Sequence, residues 1–512
     1  MPSRILAFDV GTSGVKAALL EERRIVASDV RGYGLQTGND GWVEQDLGAI
    51  RRAMGRAARA VMRARELERT GIDAIAITAQ MFNLVAADEG GEPVLPMLSW
   101  LDTRATSRAA ALAEEISPAD QFALLGSVVT AKDVLPKILW LRDERPELYR
   151  RTRWLLDCKE ALVLQLTGRA VIDPAGSSAF RLVDPSGEWS TTACDRLGVD
   201  ATRLPEVQPA ASIAGGLTPR AARELGLAPG TPVIVGAGDV PASQLGAGAI
   251  APGAVHLSLG TAVYLGITVD AALRDPARHL GVLCHAIPDR WILWLEIATG
   301  GGALAWLLRA TDGRRRGAVD YAEVDRIVEA CASELDGLLF APWLSGERVP
   351  VFDDRLRGAF VGLGLHHGRP HLLRAVMEGV ACQIRWARDY AAAYGQPIDE
   401  IRAVGGGAIG GVWLQIIADI LGTTVHAVSE PQDAGARGVG ALALVALGDE
   451  ADLGFLRDQV GIDRAFRPSA DRRAAADDTY TRYRALYEVL RPLFHNGSGH
   501  DPGAAGATAT RP

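Results

Sequence analysis

The chain has 512 residues and a formal net charge of -8, with 48% hydrophobic and 23% charged residues. That length exceeds what one core organises, so two domains of about 200–250 residues are expected. The acidic balance argues against a nucleic-acid binder. The apolar runs, broken by charge or glycine, are too short to cross a membrane. The five cysteines (Cys158, Cys194, Cys284, Cys331, Cys382) are scattered and form no C-x-x-C, which points to a reduced, cytoplasmic protein. Met1–Arg4 leads directly into a strand pattern, so no secretory leader is expected.

In chain order, Ile5–Val10 and Val15–Leu20 read as strands around a glycine turn. Leu47–Leu67 has helical spacing. Ile72–Thr78 and Leu84–Ala87 read as strands, and Ser107–Ile116, Leu135–Arg142 and Glu160–Leu166 as helices. Turn residues punctuate a segment from Asp173 to Pro209, which reads as loop-rich. The strand Pro232–Val235 then runs into Gly236-Ala237-Gly238-Asp239. A second strand–turn–strand follows at Val255–Ile267. After it come helices at Ala303–Ala310 and His371–Tyr394, the strand Ile401–Val404 and the helix Val412–Leu421. Strands alternating with helices give an α/β architecture. The expected organisation is 1–245, 246–450, a helical extension at 451–495 and a disordered polar tail at 496–512.

Two segments, ILAFDVGTSGVKAALL (Ile5–Leu20) and VHLSLGTAVYLGI (Val255–Ile267), share a strand, a Gly-Thr turn and a second strand. A third turn, VGGGAIGG (Val404–Gly411), opens a helix. Glycine turns bring backbone N–H groups close to an anion. Two similar halves facing one nucleotide make ATP-dependent phosphoryl transfer the leading reading. Gly11 lies in the first turn. Asp9 before it would repel phosphate unless Mg²⁺ lies between them. Thr12 and Ser13 add hydroxyls and Lys16 a positive charge. The structural alternative is a plain hairpin with a solvated aspartate.

Gly405–Gly410 also matches G-x-G-x-x-G, with Glu430 about 20 residues on, as in a dinucleotide fingerprint. A NAD-dependent oxidoreductase is therefore an alternative, although it leaves both Gly-Thr hairpins unexplained. His366, His367 and His371 lack partners for a metal site and read as loop or cap residues. Ser177-Ser178 and Ser345-Gly346 lack the hydrolase elbow.

Taken together, several segments resemble the FGGY family of carbohydrate kinases, in the actin, hexokinase and Hsp70 superfamily. They are FDVGTSGVKAAL, DGWVEQD (Asp40–Asp46), LPMLSWLDTRA (Leu95–Ala105), PKILWLRDERPELY (Pro136–Tyr149), GAGDV (Gly236–Val240), GAFVGLGLHHGRPHLLRAVMEG (Gly358–Gly379) and VGGGAIGGVWLQIIADILGTTV (Val404–Val425). The resemblance implies two ribonuclease-H-like domains flanking a nucleotide cleft. Sugar would bind mainly to the first domain and Mg·ATP to the second. It makes Asp239 the general base, against the alternative of a helix N-cap aspartate. It places Gly260 and Thr261 at the β/γ-phosphates, and Gly406, Gly407 and Ala408 along the adenosine. Many relatives have Asn at the positions of Gly411 and Val240.

By the same resemblance, Gln80-Met81-Phe82-Asn83 is xylulokinase-like in Gln-Met. Phe82, however, replaces a histidine that would bond a sugar hydroxyl. Trp100, Asp102 and Arg104 are further sugar-side candidates, with a structural ion pair as the alternative. The expected substrate is a ketopentose such as xylulose, or another sugar or polyol (ribulose, erythritol, gluconate). A homodimer is a candidate assembly. A noncatalytic sugar sensor is the remaining class.

Overall fold

The computed structural model describes residues 3–38, 41–127, 129–273, 275, 280–312, 320–331 and 335–495. The segment 496–512, expected as a disordered tail, lies outside them.

Two seven-stranded mixed sheets organise the chain. In the first, Ile5–Val10, Gly14–Glu21 and Arg24–Gly32 form an antiparallel meander. Ala74–Ala79 lies parallel to Ile5–Val10, Pro232–Ile234 lies parallel beyond it, and Ile213–Gly216 is the antiparallel edge. The second sheet repeats the plan. Val255–Leu259, Val263–Val269 and Trp291–Ile297 form its meander. Glu400–Val404 and Thr424–Val428 follow in parallel, and Ile462–Phe466 is the antiparallel edge. The two Gly-Thr segments therefore occupy equivalent places in the two sheets.

Apolar side chains dictate these layers. The helix Leu47–Ala64 buries Leu47, Ile50, Ala53, Met54, Ala57, Ala58 and Val61, an i, i+3, i+4, i+7 stripe. Its start is fixed by Asp46, whose Oδ1 accepts from Gly48 N at 2.8 Å. The stripe packs in one core with Phe8, Ile75, Ile77 and Val233 of the first sheet. Burying each large apolar side chain contributes about 1.5–3 kcal/mol. A second core joins Leu257, Leu265 and Leu295 to Val376 and Met377 on the long helix Arg369–Ala393, and to Trp413 and Tyr483.

A third, alanine-rich core lies between the sheets. There the helix Asp239–Gly246 packs against the helix Ala434–Leu447. A Cβ on Gly246 would fall 1.8 Å from Ala434 O, and one on Gly438 would fall 2.0 Å from Ala242 O. Backbone contact between the two helices therefore requires glycine at both positions.

Two expectations change. The segment Asp173–Pro209 is not simply loop: it holds the helices Pro174–Ala179 and Thr191–Leu197. Their starts are capped by side chains, Asp173 accepting from Ala175 N at 3.2 Å and Ser190 from Ala193 N at 3.2 Å. The segment 451–495 is not wholly helical, because Ile462–Phe466 completes the second sheet ahead of the helix Arg473–His495.

Candidate active site

Parallel pairing decides which residues meet. Ile5–Val10, Ala74–Ala79 and Ala237–Gly238 lie side by side, with Asp9 opposite Thr78 and Gly238 opposite Ala79. Their carboxyl ends therefore deliver Asp9 with the turn Gly11-Thr12-Ser13, the loop from Gln80, and Asp239 to one edge, where α/β sheets open their crevices. In the second sheet Ser258 stands opposite Val404, so the turns at Gly260 and Gly405 emerge together.

A cavity of about 380 Å³ lies where the two sheets' edges face each other. Thr12, Gln80, Met81, Phe82, Trp100 and Asp239 line it from one side, and Gly260, Thr261, Tyr264, Trp294, Glu296 and Arg348 from the other. Lys132, Asp133 and Arg181 also line it. Gly406, Gly407 and Ala408 form a single 3-10 turn outside the cavity lining, beside Leu259 and the helix Gly411–Leu421. At Gly411 a Cβ would lie 2.9 Å from Arg464 Nη1. The guanidinium occupies that space.

Asp239 is the first residue of its helix, and its Oδ1 accepts from Val240 N at 2.9 Å. The cap position belongs to Gly238. The approach is tight: Gly236 has φ 72 and its Cβ would lie 2.3 Å from Ile77 O, while Gly238 abuts the Met81 sulfur. Burial, then the charges of Asp9 and Asp157, push the Asp239 carboxyl up to about 7. Burial raises Asp9 to about 6, a shift that Lys16 opposes and Asp433 reinforces. Lys16 stands opposite Asp9 in the hairpin register. Its ammonium donates to Gln432 O at 2.8 Å and to Asp433 Oδ1 at 2.5 Å.

The sugar-side candidates divide. Trp100 Nε1 donates to Thr12 Oγ1 at 3.0 Å, tying the loop to the first turn. Phe82, at φ 65, stacks on Trp294 with ring centroids 5.3 Å apart. Asp102 and Arg104 do not line the cavity. Asp102 is fully buried and accepts from Val43 N at 2.6 Å. Arg104 Nη2 bridges Asp102 at 2.7 Å and Glu44 at 2.8 Å. This is the structural ion pair of the alternative reading, because neither charge is left over for a ligand.

Among the described residues no group of three or more His, Cys, Asp or Glu side chains is arranged to hold a metal. His367 Nδ1 accepts from Gly364 N at 2.8 Å and His371 Nδ1 from Gly368 N at 3.1 Å, as loop and cap residues do. All five cysteines are free thiols. No helix among the described residues is long and apolar enough to cross a membrane.

Several site residues were not identified from sequence. Asp157 reads locally as the cap of Cys158–Thr167, yet its buried carboxylate accepts from Asn83 Nδ2 at 2.8 Å, and burial and Glu160 raise its pKa. Fully buried Lys137 donates to the carbonyls of Phe82 and Ser99, both at 2.9 Å, and of Lys132 at 2.7 Å, fixing both sugar-side loops. Burial lowers it to about 8. Its signal was an isolated lysine within an apolar helix. Trp294 and Arg181 reach the cavity only through the fold.

The FGGY family of carbohydrate kinases, N-terminal domain, matches residues 4–246, and the C-terminal domain matches residues 255–447. The gluconokinase of Bacillus subtilis (strain 168) is 28% identical over 506 residues, covering 97% of this chain and 96% of that protein. The xylulose kinase of Escherichia coli (strain K12) is 28% identical over 491 residues, covering 95% and 99%. The crystal structure of a xyloylose kinase from Brucella ovis superposes with a TM-score of 0.86 at 30% identity, covering 96% of this chain and 100% of that one. These matches, with antiparallel meanders in both sheets, overturn the dinucleotide reading of Gly405–Gly410: that turn belongs to the second of two paired domains. The chain belongs to the FGGY family of carbohydrate kinases.

Proposed function

We propose that this protein transfers the γ-phosphoryl group of ATP to a hydroxyl of a small sugar or polyol, with Asp239 as general base. The observation that carries the reading is Asp239 itself: a buried carboxyl, raised to about 7, in the cavity that Gly260 and Thr261 also line. A base with a pKa near the working pH is both ionised and able to hold a proton. The hydroxyl oxygen forms the new bond to phosphorus, the bridge to the β-phosphate breaks, and ADP departs with that electron pair. The proton passes to Asp239. Phosphoryl transfer asks mainly for positioning and charge neutralisation.

The residues suit both co-substrates. Thr12 lines the cavity with Gly260 and Thr261, and Gly11, Thr12 and Ser13 are assigned with them to the phosphates. Gly406, Gly407 and Ala408 are assigned to the adenosine, with the Arg464 guanidinium beside Gly411. Asp9 is a hard oxygen donor at the first turn whose pKa burial raises despite Lys16 opposite it, which suits Mg²⁺ held through water. When bound, the ion would neutralise phosphate oxygens. Gln80, Met81, Phe82 and Trp100 are assigned to the sugar.

A ketopentose such as xylulose is the first substrate proposed, because a xylulose kinase aligns end to end. Gluconate is the second reading, favoured by the equally similar gluconokinase. ADP release with Mg·ATP across D-xylulose, D-ribulose, erythritol and D-gluconate tests both. No sugar-dependent ADP release with any of them would overturn the proposal and favour a sensor.

A further inference from the structure

A chain of side-chain amides runs beneath the cavity, and its direction is set at one end. Gln45 is fully buried at the end of the strand Val43–Gln45. Its Nε2 donates to the backbone carbonyl of Thr12 at 2.8 Å. A carbonyl can only accept, so the Gln45 amide nitrogen must face Thr12. Gln45 Oε1 therefore faces the other way, toward Gln80, and accepts from Gln80 Nε2 at 2.7 Å. An amide oxygen carries no hydrogen, so Gln80 must turn its NH₂ group toward Gln45. The opposite orientation would set two oxygens against each other.

This leaves Gln80 Oε1. It has no hydrogen-bond partner among the described residues, although the side chain is only 3% exposed and lines the cavity. Asn83 completes the frame, donating from Nδ2 to the Gln80 carbonyl at 2.8 Å.

We propose that Gln45 is a positioning residue that locks Gln80 as a hydrogen-bond acceptor toward the cavity, so that the substrate presents a hydroxyl there and not a carbonyl or carboxylate oxygen. The inference rests on the cavity being the sugar site of a kinase. It adds a requirement of its own: one non-transferred hydroxyl must donate. The same side chain links that acceptor to Thr12, so the sugar-side polarity and the first phosphate turn share one buried amide.

The test uses whichever of D-xylulose, D-ribulose, erythritol and D-gluconate gives the highest kcat/KM, and its deoxyfluoro analogues at each non-transferred hydroxyl. Fluorine replaces the hydroxyl in size but cannot donate. In the wild type, fluorine at one position should cost about 10–100-fold in kcat/KM, on the scale of a buried polar group left unpaired. In Gln45→Met the Gln80 amide is free to turn, and the hydroxyl-to-fluorine ratio at that position should collapse to within about threefold while ratios elsewhere hold. Gln45→Glu should keep the ratio, because a buried carboxyl group protonates and offers one donor and one acceptor in the same sense. A purely structural Gln45 would scale all analogues together. Fluorine tolerated at every position, or a ratio unchanged in Gln45→Met, overturns the proposal. A substrate-free readout separates this from failure of the kinase reading. Side-chain amide protons of Gln80 should exchange slowly in ¹⁵N-glutamine-labelled wild type and faster in Gln45→Met. Fast exchange in the wild type overturns the locked orientation. Absent sugar-dependent ADP release overturns the kinase reading alone.

Discussion

The Lys16 ammonium lies 2.5 Å from Asp433 Oδ1, joining the first Gly-Thr hairpin to the entry of the helix Ala434–Leu447. Both side chains are largely buried, at 17% and 18% exposure. Lys16, expected to serve the phosphates, thus also ties its hairpin to a helix that packs on the same sheet, against Ile5–Val10 and Ala74–Ala79. Removing one partner strands a charge, whereas removing both does not. Lys16→Met should lower stability by about 1–3 kcal/mol, and Lys16→Met/Asp433→Leu should recover part of that loss. Denaturant unfolding of the four proteins checks this; strictly additive losses would show that the pair is uncoupled.

Asp239→Asn should fold and lose about 10²–10⁴ in kcat, the scale of a general base. It also carries a pH signature. The native carboxyl titrates near 7, against 3.8 for the ordinary group, so the native state holds its proton longer than the unfolded chain does. The stability contributed by that proton declines as pH rises from about 4 to about 7. Asn cannot ionise. The variant should therefore exceed wild type in Tm at pH 8 and match it near pH 4. Wild-type turnover, or a lower Tm at pH 8, would contradict the assignment.

Asp9→Ala should abolish turnover while sparing sugar affinity, if the carboxylate acts through Mg²⁺ on the phosphates. Calorimetric titration of sugar into the variant measures this. A large loss of sugar affinity with Mg·ATP use intact would refute the role.

Asp9 also meets Gly435, where a Cβ would lie 2.6 Å from Asp9 Oδ2. Gly435→Ala should displace the carboxylate and lower kcat by about 10²-fold, as small misplacements in reacting sites do. Unchanged kcat would mean that the helix shifts instead.

Phe82→His should improve D-xylulose relative to the best substrate in the panel. Phe82 offers no polar atom and is engaged in the stack on Trp294. A sugar hydroxyl left unpaired there costs about 1–3 kcal/mol, about 5–150-fold in kcat/KM. Histidine also tolerates the φ 65 backbone better than most residues. A wild type that already prefers D-xylulose, and a variant that only loses activity on it, would show that another group makes the contact.

The sequence by itself determined the parts whose physics is local. Each Gly-Thr hairpin is a strand, turn and strand within a few residues, and the apolar stripe of Leu47–Ala64 is a helical period. Both were legible without neighbours; the helix after Asp239 stood only as an alternative, with Asp239 as its cap, a place that Gly238 takes. The tertiary structure decided the use of the charges. For Asp102 and Arg104 the sequence left a sugar contact and an ion pair both open; the fold brings in the partners of the pair, Val43 N, 59 positions from Asp102, and Glu44. Asp157 drew no notice in the sequence; only the fold sets it by Asn83 and Asp239. Lys16 finds Asp433 417 positions away, and Trp294 reaches Phe82 from the other sheet. Backbone periodicity is fixed by adjacent residues, whereas the role of a charge is fixed by what desolvates and pairs it, and those groups come from distant parts of the chain.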